Sequence, residues 1–364
     1  MKVNRKRSGG GAVLAGIAVL PTILALTLTA QTPQAAELTS FEAPGAGTGS
    51  YQGTFAMSIN SSGTITGAYT DSNNMTHGFV RAAGGTFTTY DVAAGIGTEG
   101  VSINNAGAIT GFYLDAGDVS HGFARAADGA IGTFDVPGAG TKFLQGTSPQ
   151  SINEAGEIAG YYLDANSVRH AFVRAARAIT SFDPSGATET YAEAINPAGI
   201  IAGSYADAQH VRHGFVRTAD GTITSFDPSG STATYASGIN GAGAVTGWYT
   251  DVNGVNHGYT RAAGGKISKF DVAAAGGATG QGTFPAGIEK AGAIAGYYID
   301  ETNVNHGFVR SATGETSSFD GPGAATGAGQ GTQADGINAT GVTTGTYVDT
   351  NNAEHGFVRT PSPK

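Results

Sequence analysis

One phrase occurs seven times along the chain, and its fixed internal spacing limits the folds that the chain can adopt. Each copy runs from Ile-Asn through a glycine turn to an alternating Ile-x-Gly-x-Tyr segment, then to an Asp, a His-Gly-Phe-Val-Arg segment and a Phe-Asp segment. The first copy sets the spacing, with Ile59, Asp71 and His77, and the other six keep it. Alternation with a period of two predicts strands, and paired strands tolerate no change in length. Four short antiparallel strands are therefore expected in each unit.

One segment of the phrase is displaced to the other end of the chain. The seventh copy stops at Arg359 without a Phe-Asp segment, whereas residues 38–42 carry an equivalent segment ahead of the first copy. In many β-propellers the N-terminal strand completes the last blade. The sequence thus predicts an all-β fold, a seven-bladed β-propeller of four-stranded antiparallel blades whose ring is closed by strand 38–42. An open array of β-repeats is the alternative, but it gains nothing from the displacement.

Two motifs carry a resemblance to a known family. The segments His-Gly-Phe-Val-Arg (His170-Ala171-Phe172 in the third copy) and Ile-Asn-x-x-Gly-x-Ile-x-Gly-x-Tyr resemble those of the HAF-repeat family, bacterial repeat proteins regarded as extracellular. The resemblance covers nearly all of the chain after its N-terminal segment. It implies an exported protein and leaves the biochemical activity undefined.

The N-terminal segment has the pattern of an export signal. Four basic residues within the first seven precede an apolar run and then small residues, which predicts a signal peptide over residues 1–36 with cleavage after Ala30 or Ala36. A membrane anchor is the alternative. The rest is expected to be one propeller domain over 37–360 with a short tail at 361–364, in a secreted, extracellular or periplasmic protein.

Composition narrows the classes of partner. The net charge is −9, and it becomes −13 without the four basic residues of the signal segment. Such an acidic surface argues against nucleic acid, and against anionic membranes after signal cleavage. The chain has no cysteine, so thiol catalysis, thiolate metal sites and disulfides are excluded. A monomer is expected.

The repeated His and Asp residues invite a catalytic interpretation, but their repetition favours a structural one. Strand pairing is expected to bring each His between the preceding loop Asp and the following Phe-Asp carboxylate, as a bracket that holds the loops and favours the protonated His. A catalytic site needs one constellation rather than seven, and no acid pair peculiar to one unit is found outside the repeated positions. A non-enzymatic protein is favoured over a hydrolase or lyase.

Calcium is the only cofactor that the motifs suggest. The loop Asp is followed by Asn two residues later in Asp71-Ser-Asn73, Asp251-Val-Asn253 and Asp349-Thr-Asn351. Calcium loops alternate acids and amides in this way, but none of these continues into the Gly-x5-Glu pattern. Asp-x-Asn is also common in turns, so no cofactor is expected and calcium is kept as the alternative.

Positions that depart from the repeat are the candidate binding residues, since loops on a rigid scaffold usually carry function. The long connections contain a Gln-Gly-Thr segment, which alternatively reflects how a longer loop folds. Trp248 is the only tryptophan, and the alternative to a binding role is that it packs between blades. The candidates are Gln52, Lys142, Phe143, Gln145, His210, Arg212, Trp248, Gln281 and Gln330. The predicted function is a binding module for a carbohydrate, peptide or envelope component on the long-loop face. A hydrolase or lyase with acids on that face, or a structural matrix protein, is the alternative.

Overall fold

The structure, a computed structural model, describes residues 36–93, 95–176 and 178–362. The predicted signal peptide, except Ala36, and the last two residues of the predicted tail lie outside the described residues. Among the residues described, no helix is long and apolar enough to cross a membrane.

Within the described residues the secondary structure consists of 28 strands, paired in antiparallel units of four. The first strands of units 1 to 7 are Gly53–Ile59, Gly97–Ile103, Gly146–Ile152, Glu189–Ile195, Ala233–Ile239, Gly282–Ile288 and Gly331–Ile337. The second strands are Ile65–Thr70, Ile109–Leu114, Ile158–Leu163, Ile201–Ala206, Val245–Thr250, Ile294–Ile299 and Thr343–Val348. The third strands are Thr76–Arg81, Ser120–Arg125, Arg169–Ala175, Arg212–Arg217, Asn256–Arg261, Asn305–Arg310 and Glu354–Thr360. The fourth strands are Phe87–Tyr90, Ile131–Phe134, Ala178–Phe182, Ile223–Phe226, Ile267–Phe270, Thr316–Phe319 and, for unit 7, Glu37–Phe41.

The N-terminal strand pairs with the last strand of the chain. Leu38 lies opposite Arg359 and Phe41 lies opposite Gly356, in antiparallel register. The all-β prediction and the predicted partner of the displaced segment are confirmed.

The apolar core of each unit is completed by side chains of the preceding unit, as Phe41 completes that of unit 1 and Phe182 that of unit 4. The aromatic residue at the centre of the third strand is completely buried, as in Phe79 and Phe215, and it packs against a completely buried residue that opens the second strand, as in Ile65 and Ile201. Burial of one such phenylalanine side chain contributes about 2–3 kcal/mol. The glycine opposite this ring is required: a Cβ on Gly203 would overlap the carbonyl oxygen of Tyr191.

The first strand of every unit contains a β-bulge before its last two residues, for example between Ala192 and Ala194. The extra residue at a bulge leaves the regular alternation of side chains. In all seven units this residue lines a cavity of about 260 Å³, which we call the axial cavity. The bulge residues are Met57, Val101, Gln150, Glu193, Ser237, Ala286 and Asp335.

The Ile-Asn motif links neighbouring units. The Asn60 Oδ1 accepts hydrogen bonds from the N–H groups of Ser62 and Thr64, which shapes the turn into the second strand. Its Nδ2 donates to the carbonyl oxygen of Asn104 in the next unit at 3.2 Å. The same link continues from Asn104, Asn153, Asn196 and Asn240, and Asn338 donates to Asn60. Unit 6 has Glu289 at this position, and a carboxylate cannot donate the equivalent bond.

Candidate functional site

The repeated His lies between two carboxylates in every unit, as the sequence predicts. Its Nδ1 is 2.5–3.0 Å from the acid that follows the fourth strand, and its Nε2 is 3.3–3.9 Å from the loop Asp. The acid of unit 7 is Glu42, which is bonded to His355. The ring also stacks on the second-strand tyrosine, as in the His77–Tyr69 pair at 4.9 Å. Seven equivalent brackets hold the loops and distinguish no unit as a site.

Charge and hydrogen bonding shift the pKa values within these brackets. Desolvation lowers the pKa of His213, but hydrogen bonds to Asp227 and Asp207 outweigh it and raise the pKa overall. The N–H groups of Met75 and Asn73 bind Asp71 and hold the pKa of its carboxyl below the usual value. The Asp-x-Asn pattern thus serves here to form a turn. Among the residues described, no group of three or more His, Cys, Asp or Glu side chains is arranged to hold a metal ion.

The glutamine of each Gln-Gly-Thr segment ties two loops together. In unit 3 the Gln145 Oε1 accepts the N–H of Lys142, and its Nε2 donates to Ser167 on the loop between the second and third strands. Gln52, Gln281 and Gln330 make the corresponding pairs of contacts. These four candidates therefore have intramolecular partners at both ends of the amide, which fits the alternative that the segment reflects loop folding.

Unit 4 departs from the other units at the start of its first strand. Glu189 stands where the other six have Gly53, Gly97, Gly146, Ala233, Gly282 and Gly331. The third strands of units 3 and 4 open with Arg169 and Arg212, where the others have Thr76, Ser120, Asn256, Asn305 and Glu354. Strand order brings these three charged residues together on the long-loop face. With Tyr191, Tyr235 and Trp248 they form what we call the unit 4 cluster.

Glu189 is the centre of this cluster. Its carboxylate lies 3.8 Å from the Arg169 Nη1 and 3.6 Å from the Arg212 Nη2, and it accepts a hydrogen bond from the Tyr191 hydroxyl at 3.1 Å. The Arg212 guanidinium lies between two rings, 4.5 Å from the centre of Tyr191 and 5.3 Å from that of Tyr235. Burial raises the pKa of Tyr191, so its hydroxyl remains a donor.

Aromatic rings extend the cluster along the same face. Trp248 stacks on Tyr235 with ring centres 4.9 Å apart and planes 10° from parallel, and it also contacts Phe284 of unit 6 at 5.8 Å. Packing of Trp248 between units, the alternative in the sequence prediction, is therefore observed. The ring remains half-buried.

Loop length leaves part of the cluster open. The connections into units 4 and 5 span residues 183–188 and 227–232, whereas the connection into unit 6 spans 271–281. Beside the two short connections, the exposed fraction of the side chain is 38% for Glu189, 34% for Arg169 and 19% for Arg212. Charged groups and aromatic faces can therefore reach a ligand here.

The axial cavity holds two acids that sequence comparison missed. Glu193 and Asp335 occupy the bulge position, where the other units have neutral residues. Burial raises the pKa of Glu193 to about 7, against the opposing charge of Arg212. Asp335 is open to the cavity but surrounded by protein, and this confinement, with the charge of Glu354, raises its pKa to about 7. The sequence pattern does not single out these two acids, because the bulge hides this position from a period-two pattern.

The remaining candidates lie on the long-loop face. Phe143 is 65% exposed, and Lys142 is on the same loop. His210 is exposed in a left-handed backbone conformation with φ of 61°, two residues before Arg212. Arg169, Glu189, Tyr191 and Tyr235 were missed, although an alignment of the seven first strands marks Glu189 at once.

Comparison with known proteins gives the fold. The chain matches no protein-family profile and no curated protein. Among solved structures, the BP39L lectin from Burkholderia pseudomallei has a TM-score of 0.52 at 9% identity, over 91% of this chain and 98% of the lectin. AofleA from Arthrobotrys oligospora gives 0.47 at 13%, over 78% and 90%, and the Pyrococcus horikoshii acylaminoacyl peptidase gives 0.49 at 10%, over 81% and 49%. The likeness to the Burkholderia lectin extends to the fold alone, an all-β fold of repeated sheets of the β-propeller class.

Proposed function

We propose that this protein is an exported, non-enzymatic carbohydrate-binding module of the HAF-repeat family, and that the unit 4 cluster is its glycan site. The observation that carries the proposal is Glu189, a charged residue where every other unit has Gly or Ala, held between two arginines beside aromatic rings. Aromatic rings pack against the C–H faces of sugars, while carboxylate and guanidinium groups bind neighbouring hydroxyls. The lectin fold of the Burkholderia protein supports the same class of activity.

We also propose that seven blades form a closed ring. Three contacts between units 7 and 1 support closure, because each repeats a contact found between consecutive units. Gly53 bridges to Glu354 as Gly97 bridges to Thr76, and Asn338 donates to Asn60. The third is the stacking of Arg81 on Phe41 of the N-terminal strand. A closed ring gives the rigid scaffold on which a preformed site depends.

The test is glycan binding by the wild type and by variants that import residues from other units. Glu189→Ala places in unit 4 the residue of unit 5, so folding should be preserved while glycan affinity falls at least tenfold. Tyr191→Phe, which imports the ring of Phe55 and Phe284, should weaken binding less. Phe55→Tyr is the matched control in unit 1 and should leave binding unchanged. Equal glycan affinity for Glu189→Ala and the wild type would refute the site.

An enzyme is the second candidate, because Glu193 and Asp335 face a cavity with raised pKa values. A hydrolase or lyase would use one as a general acid. Turnover of a bound glycan that Glu193→Gln abolishes would favour it over a binding module.

A further inference from the structure

We infer that the ligand of the unit 4 cluster is a saccharide carrying an anionic group, a carboxylate or a sulfate. This inference rests on the proposed function and adds the charge of the ligand. It comes from comparing equivalent positions among the seven units on the long-loop face. Apart from the repeated His residues and Lys269, which packs on Tyr249 and donates to the carbonyl of Ser229 in unit 5, the basic side chains of this face lie in one sector.

Four basic residues outside the repeated positions define this sector. Arg169 and Arg212 open third strands, and the five other units have neutral or acidic residues there. Lys142 lies three residues before its Gln, where the other long connections have Gly49, Ala278 and Gly327. His210 occupies the left-handed position of its loop, where the others have Asn74, Asp118, Ser167, Gly254, Asn303 and Asn352. All four belong to units 3 and 4, in a chain of net charge −9.

Arg169 has hydrogen-bonding capacity that the protein leaves unused. A guanidinium carries five N–H donors. The described residues accept no hydrogen bond from Arg169, whose nearest acid, Glu189, is 3.8 Å away. Its Nε is enclosed without a partner, as in four of the repeated arginines, and its Cζ lies 5.2 Å from the centre of the Tyr191 ring. Arg212 instead donates to Ser204 and is closer to Glu189.

A loop contact links Lys142 to the segment that leads into Arg169. Gln145 ties the Lys142 loop to Ser167, two residues before Arg169. Four acids also lie on this face, where they contact His170 and His213: Asp164, Asp183, Asp207 and Asp227. Among the described residues, Glu189 is the acid within 4 Å of the Arg169 and Arg212 guanidinium groups. A carboxylate or a sulfate can accept paired N–H bonds from the two Nη groups of Arg169, while the sugar ring to which it is attached lies against the aromatic side chains.

The experiment measures binding of full-length protein to neutral, uronate-containing and sulfated oligosaccharides. Trigalacturonate and its methyl ester form a pair in which esterification removes the charge. We expect anionic members to bind at least tenfold more tightly than neutral ones. Arg169→Asn imports the residue of units 5 and 6 and should lower the affinity for the anionic members at least tenfold, to the level of the neutral ones. Lys290→Gln removes a positive charge from the exposed turn at the opposite end of the strands and should leave the preference intact.

The outcomes separate this inference from the function on which it rests. Equal binding of anionic and neutral saccharides, or an unchanged preference in Arg169→Asn, would overturn the inference and leave carbohydrate binding standing. No binding to any oligosaccharide would overturn both. A preference confined to either the uronate or the sulfated members would identify the anion and support the inference.

Discussion

The guanidinium carbon of Arg81 lies 4.6 Å from the centre of the Phe41 ring, so the first complete unit packs directly on the N-terminal strand. The other third-strand arginines stack in the same way on the fourth-strand ring of the preceding unit, at 4.6–5.0 Å. Phe41 therefore contacts unit 1 in the same way as the fourth-strand aromatic residue of each other unit contacts the unit that follows it. These arginines cover apolar surface between units by cation–π stacking.

Loss of the Phe41 ring should be costly although it lies near the chain terminus. Phe41→Ala removes a buried ring from between units 7 and 1, and we expect the free energy of unfolding to fall by about 3 kcal/mol. Phe143→Ala, at a 65% exposed loop position, should change it by no more than about 0.5 kcal/mol. Urea denaturation measures both. Similar small losses for the two variants would mean that the N-terminal strand is dispensable.

The interrupted chain of asparagine bonds offers a stabilising substitution. Glu289→Asn restores a donor towards the carbonyl of Asn338 and should raise the free energy of unfolding by about 1 kcal/mol. Asn338→Asp removes the donor towards Asn60 while keeping the turn acceptor, and should lower it by a similar amount. If calorimetry shows no opposite shifts in these two variants, the inter-unit bonds contribute nothing to stability.

The acids of the axial cavity should make the protein less stable as the pH rises. A carboxyl whose folded pKa is raised favours folding below its unfolded pKa, near 4, and this contribution is lost as the pH rises towards about 7. Glu193→Gln and Asp335→Asn should each raise the melting temperature at pH 8 by about 2–4 °C, with little gain at pH 4. A gain equal at both pH values would show that these groups do not titrate on folding.

The His213 bracket should respond to pH in a recognisable pattern. Its raised pKa means that its stabilising contribution is present below about pH 6.5 and fades as the pH rises through the folded value. His213→Asn should therefore cost more stability at pH 5.5 than at pH 8.5, by melting temperature. Below pH 4 the loop carboxylates, whose pKa values are lowered, protonate and the brackets weaken in all variants. A cost of His213→Asn independent of pH from 5 to 9 would refute a charged bracket.

The sequence predicts the strands, their grouping and the His brackets because those features depend on local spacing. Fixed separations from Ile59 to His77 leave one antiparallel register, and that register alone brings the His between two acids. The unit 4 cluster depends instead on contacts between units. Nothing in the local pattern around Glu189 indicates that Arg169, two strands earlier, lies beside it.

Two other features also exceed what spacing can predict. The bulge after Ala192 turns Glu193 into the axial cavity, against the expected alternation. The Gln-Gly-Thr segments looked like binding candidates because they interrupt the repeat, yet Gln145 makes both of its amide contacts inside the protein. Departures from a repeat thus need a comparison of equivalent positions before they indicate a ligand site.

The single tryptophan tests the central claim most directly, since Trp248 stacks on Tyr235 within the unit 4 cluster. Titration with a saccharide whose binding is detected by calorimetry should change the Trp248 fluorescence, and the two titrations should have the same midpoint. Glu189→Ala should abolish both the heat and the fluorescence change. The account would be contradicted if calorimetry detects binding but the wild-type Trp248 fluorescence does not change and Glu189→Ala keeps the wild-type affinity. The glycan site would then not lie at this cluster.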